Sequence, residues 1–170
     1  MGDIILGKTK SEQESIFVLD FPEYYKSLKM TGICYMNYSF KKLGIEIPDI
    51  EINYKSSEFR NFVVDERDCP DRIFNELKKY ESSKDLSLLC PDATYKNCNG
   101  EPIAFAEINT VIHFGTAPYG EDKLKSTLIS DFAKRKISET LGIPLLEYFS
   151  DIPLLSTDVE NICKFFKDNE

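Results

Sequence analysis

The chain has 170 residues, 42% apolar and 29% charged, with a formal net charge of −8. That is one domain's worth of an ordinary globular protein, neither disordered nor membrane-spanning in composition. The acidic balance counts against non-specific nucleic-acid binding, which draws on a basic surface, so any phosphate contact needs a local basic patch, a bound metal or a partner subunit.

From the N-terminus, Gly2 to Thr9 matches the letters of the phosphate-binding pattern GxxxxGK[ST]. Only Met1 precedes it and two isoleucines and a leucine fill it, so the match reads as chance. The first residues lack a signal-peptide layout, and Leu6 stands where a myristoylation signal needs Ser or Thr. Ser11 to Leu19 reads as a capped helix or as a feed into a strand, punctuated by Phe21-Pro22. Pro22 to Leu43, rich in tyrosine, reads as mostly helical, broken at Thr31-Gly32 and closed by Gly44. Ile45 to Tyr54 alternates around Pro48 and reads as an edge strand or an extended arm. Asp65 to Asp68 is a charge run expected in a solvated loop. A helix is predicted from Pro70 or Asp71 to about Tyr80, with Ile73, Phe74 and Leu77 on one face.

Leu86 to Leu89 is strand-like and leads through Cys90-Pro91-Asp92 to a polar turn at Lys96 to Gly100. Ile103 to Asn109 is the second strand, extended by Thr110 to Phe114. Two strand signals around such a turn predict a β-hairpin that brings Asp92 and Glu107 onto neighbouring strands. Paired hard oxygen ligands at that distance suit Mg²⁺ or Mn²⁺, and two solvated acids are the alternative. Glu121 to Leu141 is a long helix with a stripe of Leu124, Leu128, Phe132, Ile137 and Leu141, stopped at Gly142. Ile143 to Phe149 is a short strand, and Ser156 or Thr157 caps a last helix running to Phe166.

The order strand, long helix, strand predicts a parallel crossover beside the hairpin, hence a mixed sheet flanked by helices in an α/β fold. One domain spanning 1–170 is expected, with a mainly helical N-terminal part over 1–84 and an α/β core over 85–170. The five cysteines, odd in number and irregularly spaced, suggest free thiols in a reducing, cytoplasmic setting.

Pro91-Asp92 followed by Glu107-Ile108-Asn109 resembles the PD-(D/E)xK nuclease superfamily, whose restriction-endonuclease-like core matches the order of elements over Leu86 to Phe149. His113, Asp131, Lys134 and the Gly142-Ile143-Pro144-Leu145-Leu146 strand make the stretch similar to bacterial domains related to very-short-patch repair endonucleases. Pro91-Asp92, Tyr95-Lys96, Gly100 and Glu107 also resemble the cap-snatching endonuclease domains of segmented negative-strand RNA viruses.

The resemblance implies a metal-dependent endonuclease acting on DNA, or on RNA if the viral likeness is the apt one. Asp92 and Glu107 would hold Mg²⁺ or Mn²⁺, with an upstream acid, Glu76 or Glu12, completing the ligands. Asn109 stands where the motif has lysine, and Lys123 or Lys134 of the following helix would take over that charge. His113 would act as a metal ligand or acid–base group, or simply as a hydrogen-bonded strand-end residue. The rival reading is a nuclease fold without chemistry that serves as a nucleic-acid- or protein-binding regulatory module. A second copy or another protein completes the list of expected partners; a membrane is not among them.

Overall fold

The computed structural model describes residues 3–7, 12–81, 85–109, 120–149 and 154–170, with side chains from residue 15 onward in the first helix. The elements run β1 (Ile4–Leu6), α1 (Glu12–Ser27), β2 (Ile33–Met36), α2 (Ser57–Arg60), α3 (Asp71–Leu77), β3 (Ala93–Lys96), β4 (Pro102–Asn109), α4 (Glu121–Leu141), β5 (Leu145–Phe149) and α5 (Ser156–Asp168). A π-helical turn (Asn61–Glu66) follows α2, and a 3-10 turn (Leu86–Leu88) precedes β3.

The five strands form one sheet in chain order. β1 and β2 are parallel, β2–β3 and β3–β4 antiparallel, and β4–β5 parallel. The mixed α/β sheet expected from the sequence is therefore present, with β4 and β5 joined through α4 as predicted. One face of the sheet presents Cys34, Met36, Ala93, Tyr95, Ala104, Ala106 and Ile108 to Phe17 and Phe21 of α1 and to Val159, Ile162, Cys163 and Phe166 of α5. The opposite face meets α4, where Phe105 packs with Ile137. Beyond α4, α2 and α3 close a third apolar cluster around Phe59, Phe62, Phe74, Leu128 and Phe132.

Several expectations are corrected. The regular elements of the N-terminal part are mostly helical, but it also supplies β1 and β2 to the same sheet rather than standing apart from the α/β core. Residues 33–36, placed in a helix by the tyrosine stripe, are instead a strand. α1 stops at a Schellman turn, with Lys29 left-handed at φ 54° and Met30 N–H donating to Tyr25 O at 3.0 Å. The β-branched and aromatic run after it alternates in burial as a strand should, burying Cys34 and Met36.

Pro22 does not end α1 but sits inside it. An interior proline costs about 3 kcal/mol, and the complete burial of Phe17 and Phe21 on its apolar side offsets that cost. The leucine-rich run 86–89 is a 3-10 turn, not a strand, because the Asp85 carboxylate captures both the N–H and the hydroxyl of Ser87, at 3.0 and 2.6 Å. The first hairpin strand therefore starts after Asp92.

The residues matching the phosphate-loop pattern at 4–6 are extended and paired to β2. Ile45 to Tyr54 makes no ladder, so it is not an edge strand of the sheet. Among the described residues, no helix is long and apolar enough to cross a membrane.

α4 matches its prediction in length and in its buried stripe of Leu124, Leu128, Phe132 and Ile137, with Leu141 only half-buried. Gly142 stops it with φ 69°, and Ile143 N–H reaches back to Ser138 O at 3.1 Å. That tight reversal aims β5 back along β4 and sets the register that builds the site.

Candidate functional site

Strand alternation places Phe105, Glu107 and Asn109 on the α4 side of β4. The β3–β4 register, Ala93 opposite Ala106, continues outward to set Asp92 opposite Glu107. On the other side of β4, Glu107 pairs in register with Glu147 of β5. Three carboxylates thus line up across neighbouring strands beneath α4.

Asp92 is anchored by the Ile108 N–H, which donates to its Oδ2 at 2.7 Å. Its carboxyl faces that of Glu107 at hydrogen-bonding range. Glu107 is 2% exposed, and its Oε1 meets the Lys134 ammonium at 2.6 Å, an ion pair rather than an aligned hydrogen bond. Lys134 also lies 3.8 Å from Asp131 and 3.5 Å from the Cys90 carbonyl. Asp131 in turn pairs at 2.9 Å with Arg67, which is fully buried and lies over the Phe62 ring. Arg135 binds Glu147 at 2.7 Å and Glu66 at 2.8 Å.

The charge run at 65–68 is corrected at Arg67, which belongs to the interior, held by Asp131 and lying over the Phe62 ring at 4.6 Å and the Phe149 ring at 5.3 Å; Asp65, Glu66 and Asp68 are exposed as expected.

Burial pushes the proton affinity of Glu107 well above the ordinary carboxylate range, and the Asp92 carboxylate adds to it. Lys134 pulls the other way without cancelling the rise. For Lys134, burial disfavours the ammonium, but Glu107, Asp131 and Asp92 more than offset it and hold the group charged. The cluster carries more acid than base, and the raised proton affinity of Glu107 answers that excess.

One expected result follows for stability. The folded protein keeps the Glu107 proton to higher pH than the unfolded chain does, so folded stability falls as pH rises through the raised value. Lys134, shifted upward, loses its contribution only at alkaline pH and does not act in that window. Glu107→Gln should therefore flatten the decline in unfolding free energy as pH rises above the ordinary carboxylate range. A variant with the same slope as the wild type in chemical denaturation would contradict the assignment.

The other expected site residues lie elsewhere. Glu76 is on the exposed side of α3, bound to Lys125 and, at 3.7 Å, to Arg72, and the structure does not join it to the carboxylate pair. Glu12 begins α1, which packs on the opposite face of the sheet from Glu107; its side chain and all of His113 lie outside the described residues. Most cations of α4 are neutralised: Lys125 pairs with Glu76 and Glu121, Arg135 with Glu147 and Glu66, and Lys136 with Glu58 and Glu139.

Among the described residues, no three His, Cys, Asp or Glu side chains gather as a metal-binding group. Two carboxylates remain an adequate protein contribution for Mg²⁺, which is commonly held by one or two carboxylates plus water and substrate phosphate.

The sequence reading gave Asp131 a place in the resemblance but no role at the site, and passed over Arg67 and Glu147. Asp131, Lys134 and Ser138 are spaced as one row along α4 and are all buried, so a polar row beside the apolar stripe was the available signal.

Fold and site together define an α/β protein with a mixed five-stranded sheet and a buried carboxylate–lysine cluster at the end of its central hairpin. Comparison with protein-family models, with curated proteins and with solved structures finds no match.

Proposed function

We propose that the protein is a metal-dependent nuclease of the PD-(D/E)xK type, hydrolysing phosphodiester bonds in nucleic acid, DNA foremost. The observation that carries the reading is the convergence of Asp92 and Glu107 on adjacent strands with the Lys134 ammonium 2.6 Å from Glu107. Mg²⁺ or Mn²⁺ held by these carboxylates would polarise the phosphate and acidify a bound water. The protein's own groups supply the rest. Asp92 is fixed by the Ile108 N–H through one oxygen, leaving the other for the site. Lys134 brings from α4 a positive charge that offsets the negative charge growing on phosphorus-bound oxygens. Asp131, tied to Arg67, holds Lys134 from behind.

A second reading, a nuclease-like fold that binds nucleic acid or protein without cutting, draws on two observations. Lys134 already occupies a cation's place beside Glu107, and the α4 cations that would face phosphates are mostly paired with acids.

Calorimetric titration with Mn²⁺ separates the two. The nuclease reading expects saturable binding that disappears in Asp92→Ala and Glu107→Ala. It also expects Mg²⁺- or Mn²⁺-dependent cleavage of single-stranded or duplex DNA or RNA that drops roughly 10²–10³-fold in the same variants. An absence of binding at about millimolar metal sinks it, and binding without cleavage favours the second reading.

A further inference from the structure

We infer that Lys41 and Lys42 form a phosphate-contact platform beside the carboxylate pair and hold the nucleic-acid strand there, an inference that rests on the nuclease reading above for its substrate. The net charge of −8 repels a polyanion, and most cations of α4 are already paired with acids. Affinity for phosphates therefore has to come from unpaired positive charge near the site.

The turn that follows β2 supplies it. Residues 37–41 run beside residues 87–92: Asn37 N–H donates to Asp92 O at 3.1 Å, Phe40 N–H to Leu89 O at 3.1 Å and Lys41 N–H to Ser87 O at 2.9 Å. The turn thus starts on the backbone of Asp92 itself. Ser87, where Lys41 attaches, is five residues from Asp92 and so at most about 18 Å from it.

The turn is also closed on itself. Leu43 N–H returns to Ser39 O at 3.0 Å, Ile45 N–H to Phe40 O at 2.9 Å, and the Lys96 ammonium donates to Leu43 O at 2.7 Å. Phe40 and Leu43 are 1% and 5% exposed, and the two residues between them are left on the outside. Those are Lys41 and Lys42, both exposed and, among the described residues, in no ion pair. Asp85 feels Lys41 through space, but its carboxylate is engaged by the N–H and hydroxyl of Ser87. Lys42 also acts toward the site: the Cys90 thiol lies in the combined field of Lys42, Lys134, Asp92 and Glu107.

An ammonium is a compact point charge that meets a phosphate oxygen without demanding a fixed direction. Two of them on an anchored turn bind with less ordering cost than on a loop that must first settle. Contacts of this kind carry no base readout, so the platform fits a strand of any sequence.

Fluorescence anisotropy of a labelled single-stranded oligonucleotide in EDTA, across a range of salt concentrations, tests this. Lys41→Gln/Lys42→Gln should bind about tenfold more weakly at low salt, and its plot of log affinity against log salt should be shallower by about 1.4, the share of two phosphates on a single strand. Lys41→Arg/Lys42→Arg should bind as the wild type does. Lys78→Gln/Lys79→Gln, at the end of α3 and beyond α4, removes the same charge and should leave the slope unchanged. With Mn²⁺, calorimetric metal binding by Lys41→Gln/Lys42→Gln should match the wild type, and cleavage should weaken through KM, with kcat within about threefold.

An unchanged salt slope and KM in Lys41→Gln/Lys42→Gln would overturn the inference. So would an equal loss in Lys78→Gln/Lys79→Gln, which would make the effect one of overall charge, or a fall in kcat at constant KM. A wild type that neither binds Mn²⁺ nor cuts overturns the nuclease reading; oligonucleotide binding that still depends on Lys41 and Lys42 would then support the platform within the second reading. A wild type with no affinity for the oligonucleotide in either EDTA or Mn²⁺ overturns both.

Discussion

Lys134→Met should destabilise the protein by about 3–5 kcal/mol, the usual cost of removing one partner from a buried ion pair. At this chain length that corresponds to a fall in Tm of roughly 6–20 °C. The ammonium sits 2.6 Å from Glu107 and 3.8 Å from Asp131 with little solvent to replace it, so its loss leaves Asp92, Glu107 and Asp131 facing one another. Two controls sharpen the result. Adding Glu107→Gln should recover much of the loss, because removing both members of a buried pair is far cheaper than removing one. Mn²⁺ should raise the Tm of Lys134→Met more than that of the wild type, since the ion then meets two carboxylates without a competing ammonium. Thermal scans in EDTA and in Mn²⁺ measure both, and a Lys134→Met protein as stable as the wild type would remove the lysine from the centre of the cluster.

Arg67→Met should cost a similar amount, about 3–5 kcal/mol. The guanidinium is fully buried, paired to Asp131 at 2.9 Å and in contact with the Phe62 and Phe149 rings. Methionine fills part of the space but strands the Asp131 carboxylate. Arg67→Lys should recover only a fraction, because a point-charged ammonium cannot stack on an aromatic ring as a planar guanidinium does while also reaching a carboxylate. The metal pair itself does not include Arg67, so Mn²⁺ binding should survive, weakened about tenfold through the loosened Asp131–Lys134 contact. Denaturation and calorimetry on the two variants test both halves. Complete loss of metal binding at full stability would mean that Arg67 belongs to the site directly.

The downstream half of the chain was legible because its signals are local. The apolar stripe of α4, the left-handed Gly142 and the apolar run of β5 each announce themselves within a few residues, and parallel pairing of β4 with β5 follows from their order. Asp92 and Glu107 were legible for the same reason: a polar turn closed by Gly100 joins their strands. What failed was decided over long range. Ile33 to Met36 becomes a strand because β1 and β3 take its two edges, partners far away in sequence. Arg67 sits in a run of charges that looks solvated, and only the distant Asp131 and Phe149 make its burial tolerable. The leucines before Cys90 followed a strand composition, but a single aspartate bent them into a turn. Of the site, the acids could be read locally; Asp131 and Glu147 could not, because a helical acid and an edge-strand acid look like surface residues until the opposite charges arrive.

The strand order has a kinetic consequence. β3–β4 is the one pair among the described strands closed by a short turn; β2 reaches β3 across more than fifty residues, and β4 reaches β5 only around α4. Short loops close first at least entropic cost. The hairpin that brings Asp92 against Glu107 is thus the cheapest piece of the sheet to make, whereas the lysine that neutralises them arrives with a later, longer closure. The folding barrier is then crossed with the two carboxylates together and their counter-charge absent. Lys134→Met would speed unfolding and leave the folding rate almost untouched, with a φ-value near zero, while truncations at the Ala93–Ala106 pair would slow folding.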